Sequence, residues 1–450
     1  MSGPGCPPRV SRRASLPQYP TGRARIVSKA SRPTLNRRGF LKTAAGIGLF
    51  TIVPRHALGG EGYTAPSEEL TKAVIGVGGM GQGHLTMPGS RLLAVCDVDR
   101  GHLNDVLSRC ESYVKGYADF REVLQRDDID IVHIPTPPHW HALISVAAAE
   151  AGKDIWCEKP MARTIYEGQK VVEVVQKHER IFRLNTWFRF QGDFYDFGTT
   201  VEPIKKAVEN RLFGWPLKVT VGMATGFTWK FQWVGRTDLA PQPVPAELDY
   251  EMWLGPAPYK PYHPHRVHQT FRGYWDYDGG GLGDMGQHYL DPVQYLLEKD
   301  DTSPVEIEVD APQQHPDAVG TWRRIVMRYA DGCEIIFDGE SKADRVPFIE
   351  GPEGKLYKGF ESDVKGLKEK VDALPAPAPQ ITDFSEAVRT RQKFALNESN
   401  GHRSCTLVNL GTIAVRLGRN LKFDPVAQRF IGDEGANRLL QQPMRGPWHL

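Results

Sequence analysis

The sequence lacks clustered cysteines and a strong excess of charge. Its six cysteines lie far apart and form no C-x-x-C, which argues against a disulfide framework and against a zinc ribbon. The net charge is only +2, and much of the basic excess falls in the first 40 residues, which contain no acid at all. A nucleic-acid partner is therefore not expected. The cysteines are Cys6, Cys96, Cys110, Cys157, Cys333 and Cys405.

A hydrophobic run long enough to span a bilayer is lacking as well. The apolar segment Thr43–Val53 is too short for a mature transmembrane helix, so no stable membrane insertion is expected. It follows Asn36–Lys42, NRRGFLK, which resembles the twin-arginine export signal. Ala57 and Gly59 are spaced like a signal-peptidase site, so residues 1–59 are predicted to be a cleaved leader and the protein to be periplasmic. A disordered basic tail on a cytoplasmic protein is the alternative.

The stretch Lys72–Asp97, KAVIGVGGMGQGHLTMPGSRLLAVCD, carries a glycine motif in a strand-and-helix setting. Its apolar run, Ala73–Val77, is typical of a buried strand and overlaps a G-x-G-x-x-G. In such a motif Gly76 allows a tight turn, Gly78 lets backbone N–H groups approach a pyrophosphate, and Gly81 lets the next helix pack closely on the strand. The predicted cofactor-binding residues of this loop are Gly76, Gly78, Gly79, Met80 and Gly81.

An acidic residue follows at the spacing that dinucleotide binding requires. The apolar run Leu92–Cys96 ends at Asp97, 21 residues beyond Gly76. A carboxylate there accepts hydrogen bonds from a ribose diol and repels a 2′-phosphate, which favours NAD over NADP. Arg100 could bind such a phosphate, so NADP is kept as an alternative. A glycine-rich loop in another doubly wound fold is the alternative to dinucleotide binding.

From Leu70 to about Arg189 strand and helix patterns alternate, as a doubly wound parallel sheet requires. Residues 60–190 are therefore predicted to form a Rossmann domain. Ligands in such sheets gather at the carboxyl ends of the strands. Two further groups are expected there beside the glycine loop and Asp97, namely Thr136–His139, which includes Pro137, and Glu158–Pro160.

Beyond Phe190 the pattern changes to alternating strands separated by a long aromatic loop, Phe227–Asp278. A second α+β domain with an open, mainly antiparallel sheet is predicted for residues 191–425, followed by a tail, residues 426–450. The predicted elements are strands Leu217–Met223, Ile325–Tyr329 and Glu334–Phe337, and helices Asp284–Leu297, Asp383–Arg391 and Ser404–Leu417.

Three residues could carry chemistry on a hydroxyl group. Lys159, extended because a proline follows it, could act as acid or base over a nicotinamide ring. Asp284 and His288 are spaced i, i+4, so a helix places both on one face, where the aspartate can orient the imidazole. The alternatives are a solvated strand-end lysine and a helix-surface hydrogen bond.

These motifs together resemble the glucose–fructose oxidoreductase / inositol dehydrogenase (Gfo/Idh/MocA) family. They are Gly76–Gly81, Thr136–His141, Glu158–Pro160 and Gly280–His288, in the order and spacing of that family. The resemblance implies that Lys159 is the catalytic lysine, His288 the acid/base and Asp284 its substrate-binding or orienting partner. It also implies that five residues contact the cofactor: Thr136, Pro137, His139, Glu158 and, more weakly because its surroundings depart from the family pattern, Arg189.

Two further groups of side chains are candidates for binding a substrate or a metal. Trp187, Tyr274 and Trp275 are candidates for stacking on a sugar ring, with simple core or rim positions as the alternative. His263, His265 and His268 could ligate a metal, but no accompanying carboxylate spacing supports this, so a cleft or surface loop is favoured and no metal site is predicted. Lys159, Asp284 and His288 complete the predicted substrate-binding set.

These patterns predict an NAD(P)-dependent oxidoreductase acting on a secondary alcohol of a sugar, cyclitol or glycoside. Export would remove it from the cytoplasmic nicotinamide pool, which favours a tightly held cofactor. A redox-neutral glycoside hydrolase or lyase that oxidises the sugar transiently is the alternative, because the same residues would serve it. The resemblance further implies a homo-oligomer, formed through the open face of the second sheet.

Overall fold

The computed structural model describes residues 69–186, 189, 192–340 and 345–450. The predicted leader, residues 1–59, and Trp187 lie outside the described residues, so their predictions stay predictions. None of the described helices combines the length and apolarity that crossing a bilayer requires.

A six-stranded parallel sheet occupies the first half of the described chain, in the order β3–β2–β1–β4–β5–β6. The order reverses between β1 and β4, which is where doubly wound sheets bind ligands. The predicted doubly wound sheet is confirmed. Its strands are β1 Thr71–Ile75, β2 Arg91–Cys96, β3 Lys115–Tyr117, β4 Ile131–Ile134, β5 Asp154–Glu158 and β6 Phe182–Asn185.

Polar side chains mark where several helices of this half begin. Asp99 caps α2 by accepting hydrogen bonds from the backbone N–H groups of Gly101 and His102. Thr164 and Glu167 form a reciprocal capping box at the start of α5. The helix after the glycine loop is only five residues long. The helices are α1 Gly81–Leu85, α2 Arg100–Leu107, α3 Phe120–Leu124, α4 His141–Glu150 and α5 Ile165–Lys177.

A nine-stranded mixed sheet follows, in the order β13–β12–β11–β7–β10–β9–β8–β14–β15. Only the β7–β10 pair is parallel among its described neighbours, so the predicted open, mainly antiparallel sheet is confirmed. Its strands are β7 Lys218–Gly222, β8 Glu306–Asp310, β9 Arg324–Arg328, β10 Glu334–Asp338, β11 Ile349–Gly351, β12 Gly354–Tyr357, β13 Glu361–Ser362, β14 Leu421–Asp424 and β15 Arg429–Phe430.

Two long helices, α8 and α11, pack against each other beneath this sheet. Small residues allow the approach, because a Cβ on Gly286 would lie 3.0 Å from Val408 and one on Gly411 3.0 Å from Leu282. α8 begins at Gly280, one turn before the predicted start at Asp284. The helices of this half are α6 Val201–Glu209, α7 Tyr250–Leu254, α8 Gly280–Leu296, α9 Leu367–Asp372, α10 Phe384–Thr390, α11 Glu398–Leu417 and α12 Glu434–Asn437.

Candidate active site

The glycine loop has the close contacts that its motif predicts. Gly76 has a φ of +92°, a left-handed conformation that side chains other than glycine rarely adopt. A Cβ on Gly81 would lie 1.9 Å from the carbonyl oxygen of Gly76, so only glycine lets α1 approach β1 this closely. A Cβ on Gly78 would meet only His102, at 3.5 Å. The loop therefore fits the phosphate cradle of a dinucleotide, while the role of Gly78 toward a pyrophosphate stays a prediction.

Asp97 places a carboxylate beside this loop at the end of β2. Its Oδ2 accepts a hydrogen bond from the backbone N–H of Val77 at 2.8 Å, and its Oδ1 accepts one from the backbone N–H of Asp99 at 2.9 Å. The hydrogen bond with Asp97 is the main reason that the pKa of His102 is raised. Arg100 donates instead to the carbonyl oxygen of Ala246 and does not line the cleft, so the structure gives it no role toward a 2′-phosphate.

A cleft of about 510 Å³ opens at the carboxyl ends of the parallel strands. Residues of the Rossmann sheet form one wall, and residues from the long loop and from α8 form the other. The volume is within the usual range for cofactor and substrate pockets. The cleft brings together most of the predicted site residues, namely Gly76, Gly78, Gly79, Met80, Asp97, Thr136, Pro137, Glu158, Lys159 and Asp284.

Lys159 and Asp284 form a buried ion pair across this cleft. The Lys159 ammonium donates to the backbone carbonyl of Asp284 at 2.6 Å and to its Oδ1 at 3.1 Å. Arg272 Nε donates to the same Oδ1 at 2.9 Å. On the other oxygen, the Trp233 indole donates at 3.1 Å and the Lys230 ammonium lies 3.4 Å away. Burial alone would raise the pKa of Asp284, but the three cations outweigh it and hold that pKa well below its usual value.

His288 lies one turn after Asp284 on α8, as the i, i+4 spacing predicts. It is fully buried and is not among the residues that line the cleft. Burial, followed by the charge of Lys159, lowers the pKa of His288 well below its usual value, which makes the imidazole neutral. The structure therefore confirms its helix and places it behind the cleft surface, so its acid/base role stays a prediction.

Asp278 lines the cleft although the sequence did not indicate it. Burial, and then the negative charge of Asp284, raise its pKa to about 7. Its Oδ1 accepts a hydrogen bond from the backbone N–H of Gly279 at 2.7 Å. A Cβ on Gly283 would lie 2.0 Å from that oxygen, so the glycine makes room for the carboxyl. The glycine run that follows Asp278 was the one signal in the sequence that could have identified it.

Glu158 is held by a polar chain that runs into the Rossmann core. It accepts a hydrogen bond from Asn185 at 2.6 Å, and its Oε1 lies 2.9 Å from His84 Nε2. The other nitrogen of His84 lies 3.0 Å from His133 Nδ1. Burial would raise the pKa of Glu158, but His84, Lys159 and Asn185 together lower it. The carboxylate is therefore positioned at the cleft by residues that the sequence motifs did not include.

Neither His139 nor Arg189 lines the cleft, so its geometry adds no support to their predicted cofactor contacts, which stay predictions. His139 is buried, and its Nε2 lies 2.9 Å from the backbone carbonyl oxygen of Trp253, a residue that itself lines the cleft. Arg189 is buried too, and its guanidinium pairs with Asp291, at 2.8 Å, and with Asp300. Both side chains are engaged by partners far along the chain, which local spacing does not reveal.

Tyr274 and Trp275 do not line the cleft either, although Trp275 lines a second pocket beside it, so their role in stacking on a sugar stays a prediction. Tyr274 is fully buried, with its hydroxyl 2.7 Å from His265 Nδ1. The Trp275 indole donates to the carbonyl oxygen of His315 at 2.9 Å. The aromatic lining of the cleft comes instead from Phe120, Trp140, Trp233, Trp253 and Phe271.

The three histidines of the long loop do not converge. The Nδ1 atom of His263 accepts a hydrogen bond from the backbone N–H of His265, while His268 reaches the cofactor end of the cleft. There His268 lies 3.5 Å from Asp99, and its ring centroid lies 4.9 Å from that of His102. The potential metal-ligand atoms of Asp99, His102 and His268 all lie within 4.8 Å of one another.

Two family models match most of the described chain. The NAD-binding Rossmann fold of an oxidoreductase family, GFO_IDH_MocA, matches residues 70–186. The C-terminal alpha/beta domain of the same family matches residues 197–450. The two matches meet close to the predicted boundary between the domains.

Curated relatives match over shorter stretches. Inositol 2-dehydrogenase of Salmonella typhimurium is 29% identical over 156 residues, which cover 33% of this chain and 44% of that protein. Glycosyl hydrolase family 109 protein 1 of Shewanella sp. (strain MR-4) is 33% identical over 174 residues, which cover 32% of this chain and 38% of that protein. The matches thus span less than half the length of these relatives.

Solved structures share the fold over most of the chain. The WlbA dehydrogenase from Bordetella pertussis, in complex with NADH and UDP-GlcNAcA, has a TM-score of 0.53 at 15% identity, and the match covers 79% of this chain and 99% of that one. The aldose-aldose oxidoreductase from Caulobacter crescentus has a TM-score of 0.51 at 18% identity, with coverage of 79% and 100%. At these identities the likeness shows the fold alone.

Proposed function

Because the chain belongs to the Gfo/Idh/MocA oxidoreductase family, we propose that it moves hydride between NAD(P) and a secondary alcohol of a sugar, cyclitol or glycoside. One observation carries the proposal: the buried Lys159–Asp284 pair lies in the same cleft as the glycine loop and Asp97. Nucleotide-binding and proton-handling groups are thus within one pocket, as hydride transfer to or from an alcohol requires.

Each group of residues has a distinct task in this reaction. The glycine loop and Asp97 would hold the dinucleotide, which when bound supplies the hydride acceptor or donor. Lys159 moves the proton at the hydroxyl oxygen of the substrate, since its ammonium is already desolvated and aimed across the cleft. Asp284, kept ionised by its cations, fixes the position of that ammonium. Asp278, with a pKa of about 7, can hold a second proton at neutral pH.

A redox-neutral glycoside hydrolase or lyase is the second candidate. Relatives carrying the name glycosyl hydrolase family 109 are 30% to 33% identical to this chain in their matched regions. In such a cycle the sugar is oxidised, loses its aglycone and is reduced again, so no net oxidant is consumed. Release of an aglycone from a glycoside, without accumulation of reduced cofactor, distinguishes this reaction from a simple dehydrogenase.

Cofactor choice and location complete the proposal. The carboxylate of Asp97 at the end of β2 favours NAD over NADP, because it would repel a 2′-phosphate. The NRRGFLK stretch supports export through the twin-arginine route, which carries folded proteins and therefore suits a tightly held cofactor. The resemblance to the family supports a homo-oligomer.

The first experiment identifies the nucleotide that the protein retains. The full chain is purified without added cofactor and denatured, and the released nucleotide is identified and quantified. Stoichiometric NAD or NADP supports tight retention, and glycosides are then screened for aglycone release. A protein that contains no nucleotide and binds added NAD only weakly supports an ordinary dehydrogenase and contradicts the retention proposed here.

A variant then tests the role of Lys159. Lys159→Ala should lower turnover by about 10² to 10⁴, the usual contribution of a positioned proton-transfer group. It should still bind the nucleotide, because the loop that cradles it is unchanged. Lys153→Ala is the matched control, since Lys153 is a largely buried lysine that donates to the carbonyl oxygen of Arg126 outside the cleft. Unchanged turnover in Lys159→Ala removes this residue from the mechanism.

A further inference from the structure

A second pocket, of about 260 Å³, adjoins the cleft behind the loop that carries Asp278. The two cavities share Pro160 and Asp278 in their walls. The second is lined by three arginines, Arg163, Arg416 and Arg438, and we refer to it as the arginine pocket. The arginines come from three distant parts of the chain: Arg163 precedes α5, Arg416 lies on α11, and Arg438 follows α12.

The guanidinium groups of the arginine pocket have no carboxylate partners among the described residues. Arg163 donates to two neutral acceptors, the carbonyl oxygen of Trp275 and Oε1 of Gln442. Arg416 is half-buried and lies over the Trp275 ring, 5.7 Å from its centroid. Throughout the part of the chain that the structure describes, the side chains of Arg416 and Arg438 form no hydrogen bond and no ion pair.

Two acids, Asp276 and Asp278, line the arginine pocket as well, and the acids in and around it are largely committed to other groups or only partly ionised. Asp276 lies 3.7 Å from Lys260, and Asp317 pairs with Lys260 at 3.0 Å and with Arg266 at 2.5 Å. Glu167 accepts two backbone N–H hydrogen bonds at the start of α5. Asp278 has a pKa of about 7 and so carries only part of a negative charge at neutral pH. The arginine pocket therefore has an excess of positive charge.

The arginines also affect one another. Burial lowers the pKa of Arg416, and the charge of Arg163 lowers it further. An arginine nevertheless stays protonated in proteins, so two like charges are held near each other in a partly desolvated pocket. An oxyanion bound between them would relieve this repulsion, and the fork of donors on a guanidinium matches a carboxylate or a phosphate.

We propose that the arginine pocket binds the carboxylate or phosphate group of a small molecule beside the candidate active site. Asn409 and Thr412 on α11 line the same cavity and add polar groups for the rest of the ligand. The anion can be the acidic group of a sugar or a free oxyanion, since both present the same chemistry. The proposal does not depend on the reaction proposed above, because anion binding is measured without turnover.

Isothermal titration calorimetry on the full chain tests the proposal with three probes: inorganic phosphate, glucuronate and, as the uncharged match, glucose. Arg416→Gln should weaken phosphate binding by about tenfold, the usual effect of losing a charge-assisted hydrogen bond. Arg419→Gln is the control, because Arg419 pairs with Asp433 at 2.6 Å and does not line the pocket. If Arg416→Gln fails to fold, Arg438→Gln replaces it, since Arg438 is exposed.

The outcomes separate the two sources of the anion. Glucuronate that binds more tightly than both phosphate and glucose, and loses this advantage in Arg416→Gln, identifies a sugar acid. Phosphate that binds as well as glucuronate and weakens in the same variant identifies a free oxyanion. Any one of three results would overturn the proposal. These are anions that bind no more tightly than glucose, anion binding that persists in both pocket variants, and anion binding that falls equally in Arg419→Gln.

Discussion

The Asp278 carboxyl should make the free energy of unfolding depend on pH. Its pKa is about 7 in the folded chain, because it is buried and faces the negative charge of Asp284. An aspartate in an unfolded chain has a pKa of about 3.9. Between these two values the folded chain keeps a proton that the unfolded chain has lost, so this residue makes the free energy of unfolding fall as pH rises.

The size of the effect follows from the difference in pKa. Each pKa unit corresponds to about 1.4 kcal/mol. Raising the pH from about 5 to about 8 covers about two pH units of the interval between the two pKa values. The free energy of unfolding of the wild type should therefore fall by about 3 kcal/mol through this group. Asp278→Asn removes the ionisation and keeps an oxygen that can accept from the N–H of Gly279. The free energy of unfolding of the variant, relative to that of the wild type, should therefore be about 3 kcal/mol higher at the upper pH than at the lower one.

Urea unfolding of the wild type and of Asp278→Asn at both pH values measures this difference. Asp301→Asn is the control, because Asp301 is exposed and forms no ion pair with any residue that the structure describes. The control should show a difference from the wild type that does not vary with pH. If the free energy of unfolding of Asp278→Asn differs from that of the wild type by the same amount at both pH values, the carboxyl is already ionised at about pH 5. That result would contradict a raised pKa for Asp278.

Three further predictions concern the cofactor site. Gly81→Ala should destabilise the fold by about 1–3 kcal/mol and reduce nucleotide retention, as thermal unfolding and nucleotide content will measure. Gly79→Ala should leave the stability unchanged, since a Cβ there meets no atom of the described residues within 4 Å. Asp97→Asn should weaken NAD binding by roughly tenfold and NADP binding less, because only a ribose diol needs the charged acceptor. Calorimetry measures both affinities, and an equal loss of affinity for the two cofactors would contradict this. His139→Leu should lower the free energy of unfolding by about 1–3 kcal/mol, because the buried imidazole loses its hydrogen bond with the backbone carbonyl oxygen of Trp253; urea unfolding measures this.

The Rossmann half could be predicted from sequence because each of its elements carries a strong local signal. β2 is an apolar run directly followed by Asp97, β5 ends in Glu158, and the capping box at Thr164 marks the start of α5. The second sheet was predicted only in part. β13 and β15 are two residues long, so neither can show the alternation that identifies a strand. Such strands are set by pairing with neighbours that sequence periodicity does not reveal.

The same contrast separates the site residues. Lys159 and Asp284 could be identified because each belongs to a short contiguous motif. The roles of His139, Arg189 and Tyr274 depend on partners more than a hundred residues away or on a packed loop. For Arg189, two aspartates on and after α8 pair with the two terminal nitrogens of the guanidinium, and the pKa of one of them, Asp291, is raised to about 6 by burial. Spacing gives the place of such a residue in the chain but not the groups that it meets.

The balance of charge in the cleft decides which carboxyl carries a proton. Asp284 is contacted by Lys159, Arg272 and Lys230, which keep it ionised despite its burial. Among the residues that the structure describes, Asp278 forms no ion pair, and it lies close enough to Asp284 for that charge to raise its pKa. Two carboxyls in one cleft are thus driven apart in pKa, which is how a site obtains one fixed charge and one exchangeable proton at the same pH. Asp278 is therefore one group through which the pH of the medium would act on the candidate active site.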